Sequence, residues 1–477
     1  MMSLVDRMDL TVPAFTGAIA LITILLAVAA VARRLQRDRR LRRVDDLRNR
    51  YQPLLVALLE GELDYAQGLA ALERISGPAR VRMLEQLLLQ KEPKPEQVPT
   101  LRRLCEDLGL TKVWQADLRG QRTARKVLEA PRREEGGIER IKPLRFLARA
   151  RAAENLGLIR HRPSWPLLVR ALHDPHPDVQ WVATRALGTI REPAAFPALA
   201  DRLRSFVLGT STSLSVETTK AALINFPLQC AADVAPLLRH PHPRVRFEAT
   251  DVIRQMAERE AAADPDFLLC PRNFFSSLAE HFLTTLGYDS DPEVRARAAP
   301  VIAYLAGPRS AAVLMKLLGD ETWFVRLHAV RALAKPRFEF MASRVARLLT
   351  DSQWRVREAA TETLIKLEVS GMRELIAHFF GDGKPGEADG NGHGRSWLPD
   401  LYSREQIAEQ MERAGLLPAL ALHFEAWERR DGASAISQLI RAGKGPYLLA
   451  VLDALRAQAA SEPVSIPAGI NQVALEK

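Results

Sequence analysis

The sequence predicts an all-α protein: a single N-terminal transmembrane helix followed by an α-solenoid of helical hairpins. Three observations carry that prediction. Residues 12–32 form one uncharged apolar run, and a turn-and-helix pattern recurs about every 31 residues between Ala148 and Leu364. Hydrophobic residues make up 47% of the chain but aromatics only 6%, which leaves Ala and Leu to build the interior, as in stacked helices. At 477 residues the chain is too long for one compact core, and an array that grows by repetition removes that limit.

Residues 1–11 are expected to be a short extracytoplasmic N-terminus. The run 12–32 (VPAFTGAIALITILLAVAAVA) follows, long enough as a helix to span the hydrocarbon core of a bilayer. Seven arginines come next in the juxtamembrane segment 33–43: Arg33, Arg34, Arg37, Arg39, Arg40, Arg42 and Arg43, against Asp38 alone. That block holds +6 of the chain's net +10, leaving +4 elsewhere. Such a block attracts anionic lipid headgroups and stays on the cytoplasmic side. The expected location is therefore the inner membrane, single-pass, with the N-terminus outside and the bulk of the chain in the cytoplasm. Ala30-Val31-Ala32 offers a competing signal-peptidase pattern. Against it, Asp6 and Asp9 outnumber Arg7 where a signal needs net positive charge. With the basic excess confined to 33–43, a nucleic-acid partner is not expected.

Residues 44–130 read as a helical-hairpin region, with amphipathic stretches at 53–60, 63–75, 79–90, 96–108 and 112–128, broken by Gly61, Ser76-Gly77-Pro78 and Pro93-Lys94-Pro95. The spacing leaves open whether these are irregular early repeats or a separate domain. Residues 131–137 (PRREEGG) read as a linker.

The repeat zone, 138–380, can be anchored on Ala148, Val179, Ser215, Val245, Val294, Val325 and Val356, spaced 31, 36, 30, 49, 31 and 31. Four and eight residues after most anchors stand a small and a large aliphatic residue: Ala183 and Leu187, Ala249 and Ile253, Ala298 and Ile302, Ala329 and Leu333, Ala360 and Leu364. The small residue lets helices approach and the large one fills the layer. The spacing of 49 places an insertion near residues 258–270. Turns such as HDPHP (173–177), RHPHP (239–243) and SDP (290–292) precede the anchors, where Pro starts the next helix. Asp174, Asp289, Asp320 and Asp351 lie five residues before their anchors and are placed to cap turn backbone. Arg149, Arg246, Arg295, Arg326 and Arg357 come directly after theirs. Stacking brings the two sets into register as a ladder of charge-assisted hydrogen bonds.

These residues resemble HEAT repeats, in particular the short bacterial form found in phycobilin-lyase-like proteins, over roughly residues 140–370. The resemblance implies an α-solenoid used as an interaction surface. Gln180 where Arg is usual, the repeat at Ser215, and Glu321 and Ser352 where Pro is usual depart from it. Residues 381–396 form a Gly-rich linker. The C-terminal helical region 397–460 opens on Ser403-Arg-Glu-Gln406, a capping-box pattern, with helices at 405–414, 417–430, 433–442 and 446–459. Residues 461–477 read as a tail.

No phosphate loop, nucleophile elbow or zinc spacing occurs, so neither catalysis nor a cofactor is expected. Cys105, Cys230 and Cys270 are far apart, giving no disulfide framework or metal cluster. The pairs His173/His176 and His240/His242 read as turn residues rather than metal ligands. Trp323 and Trp354 share a place two residues before their anchors and are expected to pack between turns. Residues three and six after the anchors should face solvent on the concave side of the second helices: Arg185, Glu248, Asp251, Arg297, His328, Arg331 and Glu362. Their mixed signs fit a protein partner, itself membrane-associated. The chain thus reads as a membrane-anchored scaffold for protein interaction. A phycobilin-lyase-like enzyme and a HEAT-like nucleic-acid binder are the alternatives.

Overall fold

The computed structural model describes residues 21, 23–32, 34–35, 46, 49–75, 93–120, 145–209, 216–263, 276–305, 307–381 and 401–460. Among them every regular element is helical and no strand occurs. Two compact units emerge, one of residues 1–199 with 211–225, the other of residues 200–210 with 226–477.

In the first unit, a helical stretch at 49–60 precedes α1 (Tyr65–Glu73), α2 (Val98–Asp107) and α3 (Leu110–Leu118). Then come α4 (Arg145–Leu158), α5 (Trp165–Ala171) and α6 (Pro177–Ile190). Helix α7 (Phe196–Val207) begins in this unit, and α8 (Val216–Ile224) returns to it. Helices α3, α4, α6 and α8 stack in succession. The stack is tight because it uses glycine: a Cβ built on Gly157 would lie 2.8 Å from the Ala186 Cβ, and one on Gly188 would lie 2.8 Å from the Ala222 Cα.

The second unit alternates first and second helices. The first helices are α9 (Ala235–Leu238), α11 (Ser276–Thr284), α13 (Pro308–Leu318) and α15 (Ala342–Ala346), interleaved with α10 (Pro243–Ala263), α12 (Pro292–Ile302), α14 (Trp323–Ala332) and α16 (Trp354–Lys366). There follow α17 (Glu368–Phe380), α18 (Leu401–Arg413), α19 (Leu417–Trp427), α20 (Ala433–Ala442) and α21 (Pro446–Ala460). Helices α10, α12, α14 and α16 stack on one another, and α18 packs on α16 in the same way.

The core lies at the recurring positions. Val179, Val294, Val325 and Val356 are fully buried, as are all ten aliphatic residues four and eight places after the anchors from Val179 onward. Ser215 lies outside the described residues, but Thr219 and Leu223, at its fourth and eighth places, are fully buried. The insertion near 258–270 takes the form of two extra turns on α10, which is 21 residues long; residues 264–275 lie outside the described residues.

One expectation needs correction here. Ser403-Gln406 is not a capping box: α18 already starts at Leu401, and the Ser403 hydroxyl instead donates to the Leu349 carbonyl at 2.7 Å, docking α18 onto the preceding hairpin. The expected transmembrane helix at 12–32 lies partly outside the described residues. Among the described residues no helix is long and apolar enough to cross a membrane. Of the expected span, residues 21 and 23–32 are helical, with Leu21, Ile24, Leu25, Leu26, Val28 and Val31 exposed; residues 12–20 and 22 lie outside the described residues. So do 1–11, the arginines of 33–43 other than Arg34, the stretches 79–90 and 121–137, Cys270, 382–396 and 461–477.

Candidate functional site

A ladder of arginine and aspartate holds the second helices at fixed spacing. Each Arg reaches forward to the Asp of the following repeat. In the first unit the Arg149 Nε and Nη2 donate to the two Asp174 oxygens at 2.6 and 2.9 Å. In the second unit Arg246 donates to Asp289 (2.7 and 2.7 Å), Arg295 to Asp320 (2.8 and 3.0 Å) and Arg326 to Asp351 (2.7 and 2.8 Å). Each of the three also donates Nη1 back to turn carbonyls of its own repeat, at His240, Asp289 and Asp320. The four aspartates accept, at 2.9 Å each, from the backbone N–H two residues on, at His176, Asp291, Thr322 and Gln353. A planar guanidinium fits this task because its fork meets a carboxylate with two parallel bonds while a third nitrogen remains for the carbonyl.

Where the pattern departs, the geometry says why. Gln180 reproduces the inner half of a rung, donating to the Asp174 carbonyl at 2.5 Å. Arg357 ends the ladder on a neutral group, donating to the Gln406 Oε1 at 2.9 Å and the Asp351 carbonyl at 2.8 Å. The hydrogen bonds to Asp289, Asp320 and Asp351 raise the already high pKa of Arg246, Arg295 and Arg326. Burial acts to lift the carboxyls of Asp320 and Asp351, but the bonds from Arg295 and Arg326 and from backbone N–H groups outweigh it and hold both below the usual range.

The face built on this frame in the second unit differs from the expected solvent-facing row. Glu248 and Asp251 are buried, at 2% and 3% exposure. Long neighbouring side chains fold over them. Arg244 reaches Glu248 at 3.0 Å; Arg254 and Gln255 donate to Asp251 at 2.8 Å each, and Arg297 comes within 3.7 Å of it. Arg254 also grips Glu258 at 2.6 and 2.7 Å. The Arg244 and Arg297 guanidiniums each lie 5.2 Å from the Phe247 ring centre. Of the remaining charged groups, Arg331 is exposed, and Arg297 and Glu362 are both half-buried.

Two bases beside this network have lowered pKa values. Burial, with Arg297, Arg331 and Arg254 nearby, drops His328 to about 4. Burial and Arg337 bring Lys335 down to about 7, against the pull of Glu258, and its Nζ sits 3.5 Å from the Tyr304 ring centre. Sequence reasoning missed Arg254, Tyr304, Lys335 and Arg337, since only Arg254 shares a second-helix position with the residues it singled out. In the first unit Arg185 is exposed, with its guanidinium 4.8 Å from the Trp181 ring centre.

The histidine pairs act in their turns. His176 stacks on Phe146 at 3.5 Å and its Nδ1 accepts from the Asp178 N–H; His240 and His242 accept from the His242 and Arg244 N–H groups. Among the described residues no group of His, Cys, Asp and Glu is placed to hold a metal. Cys105 and Cys230 are buried, and burial pushes the Cys105 thiol up to about 12. Trp323 is half-buried with Arg355 at 5.7 Å from its ring centre, whereas Trp354 stays 52% exposed, so the expected packing between turns does not extend to Trp354.

The family model for HEAT repeats matches residues 145–206 and 279–365. No curated protein matches the chain. Three of the solved structures similar to the chain illustrate the likeness. An engineered protein is 15% identical, with 84% of this chain and 100% of that chain covered and a TM-score of 0.33. The complex of CpcE and CpcF of phycocyanin lyase from Nostoc sp. PCC7120 is 16% identical, covering 73% and 94%, with a TM-score of 0.22. Human deoxyhypusine hydroxylase in complex with glycerol is 16% identical, covering 65% and 99%, with a TM-score of 0.24. The chain therefore carries HEAT repeats over the residues that the family model matches.

Proposed function

We propose that this chain is a scaffold that holds an acidic protein surface against the second helices α10, α12, α14 and α16, while residues 12–32 tether it to the inner membrane. The observation that carries the reading is the fate of the acids on that face. Glu248 and Asp251 turn inward and are consumed by arginines, whereas Arg331 and part of Arg297 remain outward. With Arg331 the exposed charge of that row in the second unit, the rigid frame presents a positive point that selects partners by electrostatic complementarity. The tether is supported by the exposed apolar side chains of Leu21, Ile24, Leu25, Leu26, Val28 and Val31. The basic block at 33–43 would then lie against anionic headgroups.

Two measurements test this. Arg297→Glu with Arg331→Glu should abolish recovery of the partner from detergent-solubilised membranes, while Arg185→Glu, outside the face, should not. Carbonate extraction should leave the chain in the membrane pellet. Equal recovery with the double variant removes the assigned face; release by carbonate removes the tether and leaves the face standing.

A further inference from the structure

A second feature lies where the row of second helices ends at α16. Helices α16, α18 and α21 enclose a cleft of about 710 Å³ lined by Trp354, Arg357, Tyr402, Glu405, Gln406, Glu409, Glu412, Arg413 and Tyr447. That size is typical of a pocket that takes a ligand or a few side chains. Its walls are fixed. Gln406 ties α18 to α16 through Arg357 and the Trp354 carbonyl, Gln410 reaches Glu358 at 3.2 Å, and Ser403 and Arg404 anchor α18 on the Leu349 and Phe379 carbonyls.

The lining has two chemical components. One is aromatic: Tyr402, Trp354 and Tyr447 are 71%, 52% and 38% exposed, in a chain whose Trp114, Trp427, Phe196 and Phe424 are almost wholly buried. The other is acidic. Glu405, Glu409 and Glu412 stand at i, i+4 and i+7 on α18, and so share one helix face, where like charges repel. Arg413 pairs with Glu409, and the Tyr447 hydroxyl donates to Glu412 at 2.7 Å. Glu405 is half-buried, and burial pushes its carboxyl above the usual range.

We propose that this cleft receives an arginine side chain presented by a partner protein, its guanidinium stacked on Tyr402 and Trp354 and forked onto the Glu405 carboxylate. The chain itself uses the same contact elsewhere. Arg185 lies over Trp181, Arg244 and Arg297 over Phe247, and Arg355 covers Trp354 at 5.4 Å while leaving half of that residue open. Arginine suits the site better than lysine, since its flat, weakly hydrated group both stacks on rings and binds a carboxylate through two parallel bonds.

The test is an anisotropy titration of the full chain in detergent with a fluorescein-labelled (Arg-Gly-Ser)3 peptide, alongside the Lys and Glu versions of that peptide. Saturable binding of the Arg peptide is expected, weaker for Lys and absent for Glu. Tyr402→Ala and Glu405→Gln should each weaken binding about tenfold, Tyr402→Phe should retain it, and Glu217→Gln, an exposed acid in the first unit, should change nothing. Loss with Tyr402→Ala but retention with Tyr402→Phe separates the stacking role from damage to the fold. No saturable binding, or equal binding by the Tyr402 and Glu405 variants, overturns the proposal. Binding that appears only after the seven arginines of 33–43 are changed to Gln assigns the cleft to the chain's own basic segment and overturns the choice of partner. None of these variants touches Arg297 or Arg331, so the result is independent of the face those two residues mark.

Discussion

Replacing Arg326 by Ala removes a whole rung of the ladder. Four hydrogen bonds go together: two to Asp351 at 2.7 and 2.8 Å, and two to the Asp320 and Glu321 carbonyls at 2.8 and 3.1 Å. The Arg326 and Asp351 side chains are 14% and 4% exposed, so solvent screens little of the loss. Asp351 is left as a buried carboxylate supported by the Gln353 N–H. Breaking one side of such a pair costs about 3–5 kcal/mol. For a unit of this size that lowers its melting temperature by roughly 6–20 °C. Arg357 supplies the internal comparison, since it has the same place in its repeat but bonds to the neutral Gln406. Arg357→Ala should cost about 1.5–3 kcal/mol, the worth of hydrogen bonds in which one partner is charged and no carboxylate is stranded. Changing Asp351 to Ala in the Arg326→Ala background should recover part of the loss, because no stranded charge then remains. Melting followed by circular dichroism, with urea titration for the free energies, reads all three variants. An Arg326→Ala cost below about 1 kcal/mol, or equal costs at Arg326 and Arg357, refutes the rung as a source of rigidity.

Gly188→Ala should destabilise the first unit by about 1–3 kcal/mol, because its new Cβ meets the Ala222 Cα and Cβ at 2.8 and 2.9 Å and must push α6 from α8; a melting curve will show it. The folded carboxyls of Asp320 and Asp351 sit below their unfolded values, so their contribution is full above roughly pH 4 and disappears as pH falls through the folded pKa values. Acid titration of stability should therefore be flatter in Asp320→Asn with Asp351→Asn. His328 titrates near 4 when folded, against about 6.5 unfolded, so the unfolded chain binds more protons between those values and stability rises with pH across them. His328→Phe should remove that slope in urea midpoints measured from pH 4 to 7.

The repeat core was legible because the small and large residues four and eight places after each anchor can only serve one helix face, and those positions are fully buried. Recurrence also pointed to Asp and Arg as partners. Which repeat each Arg reaches was not legible, since it depends on how successive hairpins stack: the sequence separation is 25 residues for Arg295 and Asp320 but 43 for Arg246 and Asp289, across the longer α10. The last rung was invisible because Gln406 replaces Asp and lies beyond the Gly-rich linker. Glu248 and Asp251 were misplaced for a different reason. Helical spacing assigns a residue to a face, but it does not report that Arg244, Arg254 and Arg297 close over that face and bury the carboxylates. The cleft escaped notice because its walls come from three helices separated by more than thirty residues on either side of α18.

The most direct test of the scaffold reading is site-specific photocrosslinking in intact cells, with benzoylphenylalanine placed at Arg331, at Glu362, or at Glu217 as a surface position in the first unit. The account predicts one discrete protein adduct from positions 331 and 362, lost when Arg297 is changed to Glu, and none from 217. The same adducts from all three positions, or none from 331 and 362, would contradict it.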